Sequence, residues 1–187
     1  SLTEFLTDRI SRAVSLREDL IGEDTGVRLV HGETDLIPGL VVDRYADVLV
    51  VQATTALIDS SLALLATILD EMFKPRMILA RNDLAIRRHE RLSQEVFLLS
   101  GKSVDRVSIR EHGVTHIVRP YAGQKTGMYL DQRPARKKVQ ELASGAKVLD
   151  LCSYQGAFSM AALSGGAASV TMVDQSKTAL DLAKETA

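Results

Sequence analysis

With 187 residues, 45% of them hydrophobic and 25% charged, the chain can bury a core of one or two domains and has the balance of an ordinary soluble fold. A formal net charge of −1 argues against a protein that grips nucleic acid over its whole surface, while leaving room for local basic patches. One cysteine, Cys152, excludes an internal disulfide, and with four histidines it offers no zinc-type spacing, so no metal is expected.

The apolar runs, Leu62 to Leu69 among the longest, fall short of the roughly 18 residues that span a bilayer. The first residues carry Glu4 and Asp8 in place of a basic start and apolar centre, so no secretory signal is expected, no membrane partner, and a cytoplasmic setting. Ser1 where an initiator methionine would stand, and Ala187 inside a helical pattern, predict that both ends are cut from a longer protein.

In chain order, Leu2, Phe5, Leu6, Ile10, Ala13, Val14 and Leu20 recur at three- and four-residue steps and predict an N-terminal helix within residues 1–22. Gly26 to His31 reads as a strand, broken by Gly32-Glu33-Thr34-Asp35 and Pro38-Gly39. Leu40-Val41-Val42 and Val48 to Val51 flank Asp43-Arg44-Tyr45-Ala46-Asp47 and read as a hairpin with that polar stretch as its turn. Leu62 to Phe73 is a helix with a wide apolar face, ended by Lys74-Pro75. Met77 to Ala80, Val96 to Leu99, Val107 to Ile109 and Thr115 to Arg119 are short strands, so residues 23–121 predict an α+β domain with a mixed or antiparallel sheet.

After Gly123 and Gly127 the pattern becomes a helix from about Arg133 to Ala143, a strand Lys147 to Leu151, a helix from about Gly156, a strand Ser169 to Asp174 and a helix from Ser176. That alternation opens a parallel α/β domain over residues 122–187. Its two strands are almost wholly apolar, as strands covered on both faces are, and their exposed edges invite pairing with a second copy of the chain in a homodimer.

Val148-Leu149-Asp150-Leu151-Cys152-Ser153-Tyr154-Gln155-Gly156 places an acid at a strand end, then a polar turn, then a glycine that opens a helix. Asp174 ends the next strand 24 positions after Asp150, placed to accept from ribose hydroxyls when a nucleoside lies across the strand tips. A dinucleotide site wants several glycines in that turn so that backbone can approach a pyrophosphate; here only Gly156 remains, which counts against NAD or FAD. The plain alternative is any strand-turn-helix unit of an α/β protein.

Lys125-Thr126-Gly127-Met128-Tyr129-Leu130-Asp131-Gln132-Arg133, the basic helix after it, and Leu149 to Phe158 together resemble the large-subunit ribosomal RNA cytosine-C5 methyltransferase family. The tract His31 to Tyr45 resembles the same family's central α+β domain, and the likeness runs from about Ser11 to Ala187 with the tracts in the family's order. The resemblance implies a small α+β domain followed by the beginning of a Rossmann-like class I methyltransferase domain, with S-adenosylmethionine as cofactor and ribosomal RNA as partner. It implies that Gln132 and Arg133 lie near the methionine end of the cofactor, that Cys152, Ser153, Tyr154, Gly156 and Phe158 wrap it, that Asp174 binds the ribose, and that Asp150 holds the turn or accepts from the ammonium group. Methyltransferase turns usually have glycines two, four and six places after the acid, and here Cys152 and Tyr154 take the first two places.

Members of that family use a cysteine thiolate that adds to C6 of cytosine, and its motif is expected downstream of Ala187. Cys152 sits in the cofactor turn and is expected to pack there as a small inert residue. A guanine-N7 ribosomal RNA methyltransferase shares a similar Lys125 to Arg133 loop and is the nearest rival; a non-catalytic RNA-binding module that keeps the fold is the rival of another class. Arg87-Arg88-His89-Glu90-Arg91 and Arg133 with Arg136-Lys137-Lys138 are candidate phosphate contacts, and clusters this short are also simply solvated surface. His112 and His116 have helical ligand spacing, but Gly113 and Val114-Thr115 favour a strand or turn.

Overall fold

The computed structural model describes residues 1–18 and 24–186; Leu20, expected in the first helix, and Ala187 lie outside the described residues. The structure divides into two compact units, Ser1–Val107 with Val118–Met128, and Ser108–Ile117 with Tyr129–Ala187. Among the described residues no helix is long and apolar enough to cross a membrane.

The first unit opens with α1 (Leu2–Ser15), where the Ser1 hydroxyl accepts from the Glu4 amide and the Glu4 carboxylate reaches back to the Ser1 amino group, so two otherwise orphaned donors are satisfied. Strands β1 (Gly26–His31), β2 (Leu40–Tyr45), β3 (Val48–Ala53), β4 (Met77–Arg81) and β5 (Val96–Gly101) form one mixed sheet in that order among the described residues. Pairing is antiparallel except at β3–β4. A parallel step needs a crossover, and α2 (Ala56–Ser60) and α3 (Leu62–Phe73) supply it. Lys74 then takes the left-handed conformation ahead of Pro75 and stops the helix.

The β2–β3 turn is shorter than the polar stretch predicts. Only Ala46 and Asp47 lie between the strands, with Ala46 at φ 53°, while Asp43, Arg44 and Tyr45 continue β2. Their polar atoms find partners far along the chain. Arg28 grips the buried Asp43 carboxylate with two bonds of 2.8 and 2.9 Å, and the Tyr45 hydroxyl meets Thr126 Oγ1 at 2.8 Å and accepts from the Met128 amide at 3.1 Å. Burial and the nearby Asp43 charge push the Tyr45 hydroxyl pKa up, so it stays protonated.

Strand β3 is buried along its whole length. Leu49, Val51 and Ala53 join Leu6 and Ile10 of α1 and Leu65 and Leu69 of α3 in the core. On the other face the Met77 sulfur accepts from the Val104 amide at 3.1 Å, and Arg81 at the end of β4 donates to the Pro120 and Gly123 carbonyls, tying residues 118–128 back onto this unit. Gly127 (φ 144°) belongs to that segment; a Cβ there would stand 2.5 Å from Val118 Cγ1.

The expected solvated cluster at Arg87 is corrected by the structure. Arg87 is 1% exposed and its guanidinium donates to the Ala53 carbonyl, the Ser93 carbonyl (2.7 Å) and Asp59 (2.8 Å), so it fastens the segment to the end of β3. Arg88 and Arg91 remain exposed.

In the second unit, residues 108–117 of the hairpin β6 (Val107–Glu111) and β7 (Val114–Val118) accompany α4 (Arg133–Leu142), β8 (Lys147–Leu151), α5 (Ala157–Ser164), β9 (Ser169–Val173) and α6 (Lys177–Thr186). His112 lies at the hairpin turn and His116 on β7, off any helix. Strands β8 and β9 pair in parallel, Lys147 with Ser169 through Leu151 with Val173. Helices α4 and α5 approach closely at Gly165, where a Cβ would fall 2.0 Å from the Gln140 carbonyl oxygen.

The covering of β8 and β9 differs from the expectation. Their helices lie on one face, towards which Asp150 and Met172 point; on the other, Leu149 and Leu151 are 61% and 63% exposed and Val173 is exposed as well. The crossover from β8 to β9 through α5 reaches one face only, and among the described residues nothing covers the second.

Candidate cofactor-binding site

The site is built at the carboxyl ends of β8 and β9, where open α/β sheets bind ligands. β8 ends at Leu151, the chain turns through Cys152 to Gly156, and α5 begins at Ala157. Cys152, Tyr154 and Gly156 have φ of 58°, 48° and 70°. These are the positions two, four and six after Asp150, where methyltransferase turns usually carry glycine. The backbone therefore keeps the left-handed conformation at all three, although two of the residues bear side chains that cost of order 1 kcal/mol or more each to hold there. At the third, glycine is required for space as well: a Cβ on Gly156 would stand 2.7 Å from the Met172 sulfur and 3.1 Å from Ala183 Cβ.

Asp174 stands beside this bend. Its Oδ2 accepts from the Tyr154 amide at 2.8 Å and its Oδ1 from the Ser176 amide at 2.8 Å, while the Ser153 amide donates to the Val173 carbonyl at 3.1 Å. The amides of Ser176 and then Tyr154 hold the Asp174 carboxyl below the usual carboxylate range, so it is an anion at neutral pH. Each oxygen has one bond from these amides, and an ionised carboxylate has about four acceptor positions. Asp174 can thus brace the bend and still accept from a ligand's hydroxyls.

Asp150 is turned to the helix face, where its Oδ2 accepts from Ser159 Oγ at 2.7 Å. That contact ties the end of β8 to α5 and favours the turn-holding role of the two considered for Asp150. Ser153 Oγ is buried and has no hydrogen-bond partner among the described residues, an unusual state for a hydroxyl. Cys152 departs from the expected packed residue: its thiol is exposed, because the left-handed backbone turns the side chain out of the strand–helix interface.

Gln132 and Arg133 stand on a separate element, a single turn of 3-10 helix running into α4, with Gln132 exposed and Arg133 partly so. Lys125 to Met128, from the same tract, belong to the first unit, where Thr126 is fully buried and bonded to Tyr45 and Asp43. Of the basic helix, Lys137 and Lys138 are exposed, whereas Arg136 is buried, against the expectation of a phosphate contact. Its guanidinium pairs bidentately with Glu111, donates to the Tyr129 carbonyl at 2.9 Å and lies 5.9 Å from the centre of the Phe158 ring. Phe158 therefore packs under a cation at the start of α5.

Sequence reasoning missed Ser159 and the role of Tyr129. Ser159 carries no motif signal, since a serine inside a helix is common. Tyr129 sits within the Lys125 to Arg133 tract and its ring meets that of Tyr154 edge-on, 5.8 Å between centroids at 79°; an aromatic in a loop otherwise rich in small and polar residues was the available clue.

A family model described as S-adenosylmethionine-dependent methyltransferase matches residues 27–186. Among curated proteins, Ribosomal RNA large subunit methyltransferase I of Aeromonas salmonicida is 38% identical over 187 residues, covering 98% of this chain and 47% of that protein. A solved structure of a Streptococcus mutans protein, described as a SAM-dependent methyltransferase, superposes with a TM-score of 0.83 at 23% identity over 98% of this chain and 48% of its own. Another, a methyltransferase complexed with SAH, gives 0.84 at 24% identity, over 98% of this chain and 47% of its own. Those two likenesses establish a methyltransferase-like α/β fold, and the chain spans about half the length of the curated relatives it matches. With the family model covering most of the sequence and the braced bend at the strand tips, this chain belongs to the S-adenosylmethionine-dependent methyltransferase family.

Proposed function

We propose that this chain supplies the substrate-side domain and the first half of the cofactor site of an enzyme that methylates C5 of cytosine in large-subunit ribosomal RNA. The observation that carries the reading is the Asp174 carboxylate fastened to the Cys152–Gly156 bend at the tips of two parallel strands. The name of the curated relatives supports the ribosomal RNA part, and the resemblance in the Lys125 to Arg133 and Leu149 to Phe158 tracts supports cytosine.

In this reading Asp174 accepts from the ribose hydroxyls, the bend with Ser153, Tyr154 and Gly156 encloses the nucleoside, and Arg133 with Gln132 attends the carboxylate at the methionine end, for which a guanidinium is a suitable partner. Asp150 holds the bend through Ser159, and Phe158 with Arg136 beneath it forms part of the wall. S-adenosylmethionine supplies an electrophilic methyl group on a sulfonium. Cys152 is given no part in bond making, since it belongs to the cofactor bend; the nucleophilic cysteine of the resembling family is expected in a later motif.

The test is product analysis with the intact protein, ribosomal RNA and methyl-labelled cofactor. Label recovered as 5-methylcytidine is expected. Label in 7-methylguanosine transfers the reading to guanine N7, and failure of the intact protein to bind S-adenosylhomocysteine in a calorimeter leaves a non-catalytic module.

A further inference from the structure

Tyr154 lies at φ 48°, a conformation that a bulky residue holds only when its surroundings over-determine it. Three of its contacts serve that end. Its amide donates to Asp174, its hydroxyl accepts from the Gln155 side-chain amide at 3.1 Å, and its ring meets the edge-on ring of Tyr129. The second comes from the bend itself; the first comes from the end of β9, and the third from the tract that leads into α4.

Tyr129 is itself fixed from behind. Arg136 Nη1 donates to its carbonyl, and that guanidinium is locked by two bonds to Glu111, in a pair whose side chains are each 2% exposed. A forked guanidinium held on both sides leaves little play in the peptide it grips. Glu111, Arg136, Tyr129, Tyr154 and Asp174 thus form one continuous series of contacts inside the second unit, running from the β6–β7 hairpin to the ribose-side carboxylate.

We infer that Tyr129 is a positioning residue for the nucleoside site: its ring, aimed by the Glu111–Arg136 pair, keeps Tyr154 in the left-handed conformation that presents the bend to the cofactor. The inference rests on the cofactor reading above. Without the Tyr129 ring, Tyr154 is free to relax towards ordinary backbone angles, its amide swings from Asp174, and the bend opens. An edge-on aromatic pair contributes on the order of 1 kcal/mol, so the loss of affinity is about three- to tenfold.

The experiment is calorimetric titration of S-adenosylhomocysteine into the intact protein, its Tyr129→Leu variant and its Tyr129→Phe variant, each with a melting curve. Tyr129→Leu is expected to bind about three- to tenfold more weakly with its melting temperature within about 3 °C of the parent, and Tyr129→Phe, which keeps the ring edge, to bind like the parent. In turnover the Leu variant raises KM for the cofactor by the same factor and leaves kcat within about twofold. Leucine in place of Tyr129 leaves no buried charge behind, so folding is preserved where Arg136→Ala endangers it. Unchanged affinity in Tyr129→Leu overturns the inference, as does a fall in melting temperature with unchanged affinity, which marks a purely structural ring. Absence of binding by the parent protein overturns the cofactor reading itself.

Discussion

Replacing Arg87 with methionine is expected to destabilise the first unit by roughly 3 kcal/mol and to lower its melting temperature by about 10 °C. The substitution keeps most of the side chain's apolar volume and removes only the fork. What remains is the Ala53 carbonyl, inside a fully buried strand end, with its strong donor gone; the Ser93 carbonyl belongs to an exposed residue that water reaches, and the Asp59 carboxylate has lost its ion pair. Each buried group left without a partner costs about 1–3 kcal/mol, and the partly exposed Asp59 adds little because water screens it. Arg88→Ala, one residue along on the exposed side, is the control and is expected to change stability by less than about 0.5 kcal/mol. Thermal denaturation followed by circular dichroism reads both; equal melting for Arg87→Met and the parent contradicts the anchoring role.

Asp174→Ala carries the largest functional effect, a loss of S-adenosylhomocysteine affinity of about 100-fold or more by calorimetry. The substitution removes an ionised acceptor for the ribose hydroxyls, frees the Tyr154 amide and loosens the bend. Asp174→Asn, which retains one carbonyl acceptor, is expected to fall between. The pH dependence has a definite sign. Because backbone amides depress the folded-state pKa of Asp174 below its ordinary value of 3.8, its contribution is fully present above about pH 4 and is lost only as pH falls through the depressed value. Affinity attributable to this carboxylate is therefore flat from pH 8 to about 5. A steep decline already between pH 7 and 6 assigns the dependence to another group.

The elements that the sequence makes legible are those whose causes are local. The bounds of β1 and α3 follow from Gly26 and from Lys74-Pro75, and the parallel pairing of β8 with β9 follows from strand-helix alternation. Misread features have their causes elsewhere in the chain. Asp43 and Tyr45 look like turn residues until Arg28, 15 positions back, and Thr126, 81 positions on from Tyr45, are brought to them. Arg87 and Arg136 look like surface cations until Asp59 and Glu111 close on them. A polar residue's burial depends on its partner, and composition within a window of ten residues does not contain the partner.

The site divides in the same manner. Asp150, Asp174 and Gly156 were visible because strand ends and helix starts have local signals, and the structure places Asp174 within hydrogen-bond reach of the bend. Three of the expected glycine positions being left-handed while only one holds glycine was not visible: hydrogen bonds and ring contacts stabilise the conformation, and those are tertiary. The two exposed leucines of β8 were expected to be covered, since an apolar run states what a strand requires and not which neighbour provides it.

A bend that bare hydrogens would occupy more easily instead projects a sulfur atom into solvent. That makes the one thiol of this sequence a natural reporter, chemically addressable without engineering. A maleimide is expected to couple at Cys152 in seconds to minutes, and saturating S-adenosylhomocysteine to slow that coupling severalfold by shielding; peptide mapping by mass spectrometry assigns the label, and coupling indifferent to the nucleoside places the sulfur outside its footprint.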